Sequence, residues 1–103
     1  MQSTTMPEIP LNPEPSFEDY AAAARVLGFD EVLERRWPAD TVLDTHTHPF
    51  EVKARVVQGE MWLSVGDHTR HLLPGDEFEL DRDVPHAERY GSDGATYWVA
   101  RRH

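Results

Sequence analysis

The pattern of hydrophobic and polar positions changes character near residue 30. Before that point, apolar residues recur at steps of three and four, which predicts a helix over 16–28 with one apolar face. The residues of that face are Phe17, Tyr20, Ala21, Ala24 and Leu27. Ser16 and Asp19 have capping-box spacing at its start, and Gly28 suits its end. We expect this helix to pack on the outside of a sheet.

From residue 30 onward, short runs rich in Val, Leu, Trp and Tyr are separated by turn signals such as Gly59, Pro74-Gly75-Asp76 and Gly91-Ser92-Asp93-Gly94. Regular short strands of this kind predict an all-β sandwich or barrel. In residues 60–65 the alternation is clear, with Met61 and Leu63 on one face and Trp62 and Ser64 on the other. The candidate strands are 31–37, 41–47, 51–58, 60–65, 69–73, 76–80, 86–90 and 95–102.

Residues 1–15 carry four prolines and therefore cannot form a helix or a central strand. Such a segment is either a flexible tail or an extended arm. Ile9 and Leu11 favour an arm, because they supply apolar surface that could pack on the barrel or on a neighbouring subunit. We therefore predict a proline-rich arm over 1–15 and a single domain over 16–103 that includes the helix 16–28.

Composition narrows the classes of function. The 103-residue chain has a formal net charge of −9 and no cysteine. The absence of cysteine excludes disulfides and thiolate metal ligands, and it fits a reducing compartment. The acidic balance argues against nucleic acid and anionic membranes as partners, since both need clustered Lys and Arg. No apolar run approaches a membrane span and no secretory signal is visible, so we expect a cytoplasmic protein.

Three histidines supply the candidate chemistry. His46 and His48 are two residues apart, so on a strand their rings point to the same face. His86 follows in Val84-Pro85-His86. A divalent transition metal accepts neutral ring nitrogens at about 2.0–2.2 Å, so the spacing predicts a metal site inside a β-barrel. His68, His71 and His103 do not fit this pattern, and His68 and His71 are expected at the surface.

In its histidine motifs and turns, the chain resembles a small single-domain cupin over residues 34–102. The first cupin motif is matched by His46-Thr47-His48-Pro49 and residues 56–60, where Gly59 ends the strand at the expected interval. The second is matched by residues 74–80 and Val84-Pro85-His86. The resemblance implies a cupin-type jelly-roll β-barrel in which His46, His48 and His86 hold one metal. It also implies a homodimer.

One position departs from the family pattern. Cupins usually supply a fourth ligand, a glutamate, at the position that Val52 occupies here, and Glu51 precedes it. Alternation along the strand points Glu51 away from the histidines, although a bulge near Pro49 would turn it inward. Glu88 shares the face of His86 and could be a ligand or a base, or a solvated glutamate near the rim. The same alternation points Tyr90 inward.

Three classes of function stay open at this point. The first is a metal-dependent oxygenase, isomerase or hydrolase acting on a small molecule, with Glu51 or Glu88 as the catalytic base. The second is a non-catalytic barrel that binds a ligand or acts as a sensor; a purely structural barrel is a third possibility. The metal could be zinc, nickel, iron, copper or manganese, because imidazole suits all of them.

Overall fold

The computed structural model describes residues 16–103, which form one helix and six strands. All strand pairs within this range are antiparallel. The predicted arm, 1–15, lies outside the described residues, so the division into arm and domain stays a prediction. The elements are α1 (Phe17–Val26), β1 (Glu31–Trp37), β2 (Val42–His46), β3 (Glu51–Val65), β4 (His68–Leu72), β5 (Glu77–Leu80) and β6 (His86–Arg102).

The helix begins and ends where its signals predicted. The backbone N–H of Asp19 donates to Ser16 Oγ at 3.1 Å, and the Ser16 N–H donates to Asp19 Oδ2 at 3.4 Å, which completes the capping box. After the helix, Gly28 has a φ of 95°, a conformation that glycine adopts without strain. The Arg102 side chain donates to the carbonyls of Leu27 and Gly28, and so satisfies free acceptors at the helix end.

Two long strands organise the sheet. β3 and β6 pair with each other along most of their length. β1 and β2 pair with different halves of β6, whereas β4 and β5 pair with different halves of β3. The fold is therefore built from a central two-stranded ladder with a shorter strand flanking each half of each long strand.

The sequence predicted eight strands, and two of the predicted breaks are wrong. Runs 51–58 and 60–65 form one strand, β3, and runs 86–90 and 95–102 form β6. The glycines taken as strand ends instead bend continuous strands. Gly59 and Gly94 both have positive φ, and a side chain at Gly59 would collide with the Gly94 carbonyl. The β3–β6 register shifts on both sides of this point, as expected of bulges.

The shift changes which residues of β6 face the interior. In its first half the even-numbered residues, such as Glu88 and Tyr90, are buried. In its second half the odd-numbered Tyr97 and Val99 join the inner core, whereas Trp98 and Ala100 pack beneath the helix. Both halves of one strand therefore line the same interior although their positions differ in parity.

Two hydrophobic clusters hold these layers together. The larger fills the interior between the strands, with Met61, Leu72 and Tyr90 among its most deeply buried members. The smaller joins α1 to the outer face of the sheet through Tyr20 and Trp98, whose ring centroids are 5.7 Å apart. Because the helix covers this face, the second half of β6 is buried on both sides. Part of this cluster, including Val52 and Val99, also borders the polar site described next.

Candidate metal centre

The three predicted histidines meet at one end of the interior. His46 is the last residue of β2 and lies opposite His86, the first residue of β6. Ring centroids are 4.3 Å apart for His46 and His86, 4.9 Å for His46 and His48, and 5.0 Å for His48 and His86. One nitrogen of each ring lies within 4.8 Å of the others. This group fits one divalent transition-metal ion.

His48 reaches the group from outside the strand. The sequence predicted that His46 and His48 would both lie on one strand, but β2 ends at His46. Pro49 follows His48, and a residue before proline is held in the extended region. The chain therefore stays extended for two residues beyond the end of β2, so that His48 points to the same side as His46. His48 is further supported by stacking on Phe50, with ring centroids 5.0 Å apart.

Backbone carbonyls orient two of the rings. His46 Nδ1 lies 2.6 Å from the Asp44 carbonyl oxygen, and His86 Nδ1 lies 2.9 Å from the Val84 carbonyl oxygen. A carbonyl accepts only, so each Nδ1 carries a proton and Nε2 is the ring nitrogen left to act as the ligand. Metal-ligating histidines are commonly fixed in this tautomer by such bonds. The donor set therefore fits a metal in chemistry as well as in spacing.

Glu88 lies directly against these rings. Its Oε2 is 3.2 Å from His46 Nε2 and 3.6 Å from His86 Nε2. Its side chain is 6% exposed, so the alternative of a solvated glutamate is wrong. The Tyr90 hydroxyl donates to Glu88 Oε1 at 2.5 Å, which leaves Oε2 turned toward the histidines. Tyr90 itself is buried, as the alternation predicted.

The structure does not bring Glu51 to the histidines. Its Oε2 accepts a hydrogen bond from Arg102 Nη1 at 2.7 Å on the outer face of the sheet. The ladder partners of residues 51–56 advance one at a time from Arg102 to Tyr97, so no bulge turns Glu51 inward. Val52 faces the interior instead, in agreement with the simple alternation. Of the two candidate carboxylates, only Glu88 lies at the centre.

Burial sets the protonation of the surrounding groups. It lowers the pKa of His48, and the charges of His86 and His46 lower it further, so the ring stays neutral as a ligand must. Burial also raises the pKa of Tyr90, with smaller contributions from Tyr97 and Glu88. The pKa of Tyr97 is raised chiefly by burial and then by Glu88. Both phenols therefore keep their protons at neutral pH.

A small cavity opens beside the histidines. It has a volume of about 130 Å³ and joins the rings of His46 and His48 to side chains of β1 and β6. Those side chains are Arg35, Trp37, Glu88, Tyr97 and Arg101, with Leu43 from β2. A second space of about 30 Å³ also borders His48 and Glu88. Sequence reasoning missed Tyr97, Arg35 and Arg101. Alternation along β1 could have found Arg35, because it shares a face with Leu33 and Trp37.

Comparisons with solved structures identify the fold. The DMSP lyase DddQ from Ruegeria pomeroyi DSS-3 matches with a TM-score of 0.65 and 27% identity over 70% of this chain. An RmlC-like cupin from Shewanella frigidimarina NCIMB 400 matches with a TM-score of 0.61 and 19% identity, over 70% of this chain and 65% of that one. Oxalate decarboxylase from Bacillus subtilis matches with a TM-score of 0.63 and 17% identity, over 69% of this chain and 20% of that one. This chain is a small cupin-fold protein.

The extent of these matches limits what they say of function. The chain spans 37% of the length of DddQ. No protein-family model matches the sequence, and no curated protein matches it. Within residues 16–103, the single helix is too short to cross a membrane. The comparisons therefore identify a cupin fold, and its activity has to be inferred from the site.

Proposed function

We propose that this protein is a metal-dependent cupin enzyme that acts on a small molecule. In this proposal His46, His48 and His86 hold one divalent ion, and Glu88 moves a proton of the bound substrate. The observation that carries the proposal is the position of Glu88. A buried carboxylate lies 3.2 Å from a ligand nitrogen, is held by a tyrosine and lines an open cavity. A barrel that only stored an ion would not need this arrangement.

The parts have separate roles. A bound divalent ion with open positions supplies Lewis-acid polarisation of a substrate oxygen, and iron would add dioxygen chemistry. Tyr90 donates to one oxygen of Glu88 and fixes the carboxylate, so that the other oxygen is free to accept a proton. Trp37 Nε1 donates to the Tyr97 hydroxyl at 3.1 Å and so orients that phenol. The Tyr97 phenol lines the cavity as a neutral hydrogen-bonding group.

Relatives of the same fold support a small-molecule reaction. The solved matches include a DMSP lyase and an oxalate decarboxylase with Mn(II) centres. Those activities belong to those proteins. For this protein, DMSP and small organic acids are therefore the first substrates to test. Isomerase, hydrolase and oxygenase activities are tested with them.

Metal content tests the first half of the proposal. Native protein should carry about one divalent ion per chain, and a His46→Ala/His48→Ala double variant should carry almost none. A His68→Ala/His71→Ala variant removes two histidines that lie outside the group, so it is the matched control. Equal metal content in the native protein and the His46/His48 variant would remove the metal centre from the account.

Glu88 is tested by its amide. Glu88→Gln should retain the metal and lower turnover by about 10²–10⁴-fold if the carboxylate acts as the base. Loss of the metal together with turnover would instead make Glu88 the fourth ligand. Unchanged turnover in Glu88→Gln would overturn its role in the reaction.

A non-catalytic binding module is the second candidate. The small size of the inner space, about 30 Å³, favours it, because little substrate could enter there. This alternative predicts tight metal or ligand binding with no turnover of any substrate tested, aerobically or anaerobically.

A homodimer is also proposed, from the resemblance and from the sheet edges. Within residues 16–103, β4 pairs only with β3 and β1 only with β6, so each presents an edge on which a second copy could add. Light scattering after size-exclusion chromatography should give twice the chain mass of 11.8 kDa. A cytoplasmic location stays a prediction from the sequence.

A further inference from the structure

Two arginines occupy positions where the sheet otherwise points apolar residues inward. Arg35 lies opposite Tyr97 in the β1–β6 ladder, between Leu33 and Trp37, which both pack against the interior cluster. Arg101 lies opposite Val52, another member of that cluster. Cross-strand partners share a face, so both arginines face the interior. A charge at such a position is costly unless something compensates it.

Arg35 has little compensation from the protein. Its guanidinium carbon lies 4.9 Å from the centre of the Trp37 ring, a cation–π contact. No carboxylate within residues 16–103 lies within ion-pair distance of it, whereas the neighbouring Arg36 pairs with Glu34 at 3.1 Å. Arg35 is half-buried and lines the cavity beside His46 and His48.

Arg101 is only partly compensated. Its Nη1 lies 3.1 Å from Glu31 Oε1, and its guanidinium carbon lies 4.8 Å from the centre of the Phe50 ring. Its Nε is buried and has no hydrogen-bond partner in the described chain. A buried donor without an acceptor is unfavourable, so a ligand that supplies an acceptor would be stabilised there. Arg101 lines both spaces that flank His48 and Glu88.

The lining of the cavity has more arginines than carboxylates, unlike the protein as a whole. The chain carries a net charge of −9, yet the side chains around the 130 Å³ cavity include two arginines and a single carboxylate, Glu88. A metal on the histidines would add further positive charge. Guanidinium groups match the planar geometry of a carboxylate and bind it with two parallel hydrogen bonds.

We propose that Arg35 and Arg101 anchor the carboxylate of a small organic acid, which is the substrate class of this site. The acid group binds at the β1–β6 side of the cavity, and the rest of the molecule extends toward the histidines and Glu88. The inference deepens the proposed function, because it places the anchor in the same cavity. Anion binding by the arginines does not itself require the metal, so the two can be tested apart.

The test uses metal-free full-length protein at about pH 8, where ordinary imidazoles with a pKa of about 6.5 are neutral. Propionate and its uncharged counterpart propionamide are titrated separately, and amide chemical shifts are followed by NMR. Propionate should shift residues of β1 and β6 around the cavity, and propionamide should not. Arg35→Gln and Arg101→Gln should each weaken propionate binding about tenfold or more.

Arg36→Gln is the matched control. Arg36 is adjacent in sequence, its side chain is 78% exposed, and it faces away from the cavity, so propionate binding should be unchanged. Arg35→Lys keeps the charge without the planar fork, and it should bind propionate more tightly than Arg35→Gln and more weakly than the native protein. Spectra of each free variant show whether the fold is intact, and the lysine variant carries the test if Arg35→Gln does not fold.

Three results would overturn the anchor: no binding of propionate, equal binding of propionate and propionamide, or equal losses in Arg35→Gln and Arg36→Gln. None of them depends on the metal. If metal analysis fails while the propionate test succeeds, the anchor stands and the metal centre falls. The reverse outcome keeps the centre and removes the substrate class.

Discussion

The two faces of the second half of β6 contrast sharply. Toward the helix, Trp98 and Ala100 join a small apolar cluster with Tyr20 and Ala24. Toward the interior, Tyr97 and Arg101 line a polar cavity that also contains histidines and Glu88. One strand therefore contributes alternate residues to a dry packing layer and to a candidate reaction site.

The two faces differ in what they contribute: the face toward the helix stabilises the fold, and the face toward the cavity carries the polar groups of the candidate site. The helix face satisfies its few polar atoms with near neighbours, as when Trp98 Nε1 donates to Glu34 and the Tyr20 hydroxyl donates to the Lys53 carbonyl. The cavity face holds buried polar groups that the protein satisfies only in part. Such groups reduce stability unless a ligand completes them. Variants on the two faces should therefore have separable effects.

The largest effect is expected at the buried ligand. His86 is 3% exposed, which makes it the most deeply buried of the three histidines. His86→Ala should weaken metal binding by more than the roughly 10–100-fold that is typical when a residue hydrogen-bonded to a ligand is lost. Competition with a coloured chelator measures the affinity. His103 is not part of the three-histidine group and is held by Asp30 and Glu31, so His103→Ala is the control and should bind metal normally.

The next effect concerns the helix face. Trp98→Ala removes a large buried ring that contacts Phe17 and Tyr20, and it should lower the free energy of unfolding by about 3–5 kcal/mol. Urea unfolding measures the change. Metal affinity of the folded protein should be retained, because the ring points away from the cavity. A loss of metal affinity in the folded variant would break the separation of the two faces.

A smaller effect follows from the lowered pKa of His48. Because burial lowers its pKa in the folded state, the unfolded chain binds the proton more readily. Stability of the metal-free protein should therefore fall as pH drops below the unfolded value of about 6.5, and level off below the folded pKa. His48→Gln should flatten this part of the profile, measured by urea unfolding at a series of pH values. A profile identical to that of the native protein would contradict the assignment.

The smallest effect is expected at Glu51. Glu51→Gln removes a partly exposed ion pair with Arg102, which should change the free energy of unfolding by about 0–1 kcal/mol. Metal content and turnover should match the native protein. Any loss of metal in Glu51→Gln would mean that this carboxylate reaches the centre after all, and would reverse the assignment made for Glu88.

Much of the site followed from local alternation and the motif spacing. The histidines, the inward Val52 and the inward Tyr90 were all predicted from the sequence, since each depends on a few neighbouring residues. The helix was predicted too, because its cap and its apolar face are local signals. Glu88 was found as a candidate by the same reasoning, although only the structure decides between a buried and a solvated carboxylate.

The features that the sequence did not predict depend on pairing between strands that are distant in sequence. Gly59 and Gly94 were interpreted as ends of strands, because their use as bends depends on the close approach of two distant backbones. Arg35 and Arg101 went unnoticed because an arginine on a strand is usually solvated. Their inward direction follows only from the register that places them opposite Tyr97 and Val52. The strand propensity of individual residues does not determine that register.

The parity change within β6 implies a fingerprint for recognising proteins of this design in genomes. The strand reads His-x-Glu-x-Tyr over residues 86–90 and Tyr-x-Val-x-Arg over 97–101. The six residues between them convert even positions to odd ones, so inserting or deleting one residue there would turn half of the strand inside out. A sequence search that keeps this interval fixed and lets the intervening letters vary should collect chains with the same interior, even where overall similarity is too low to align.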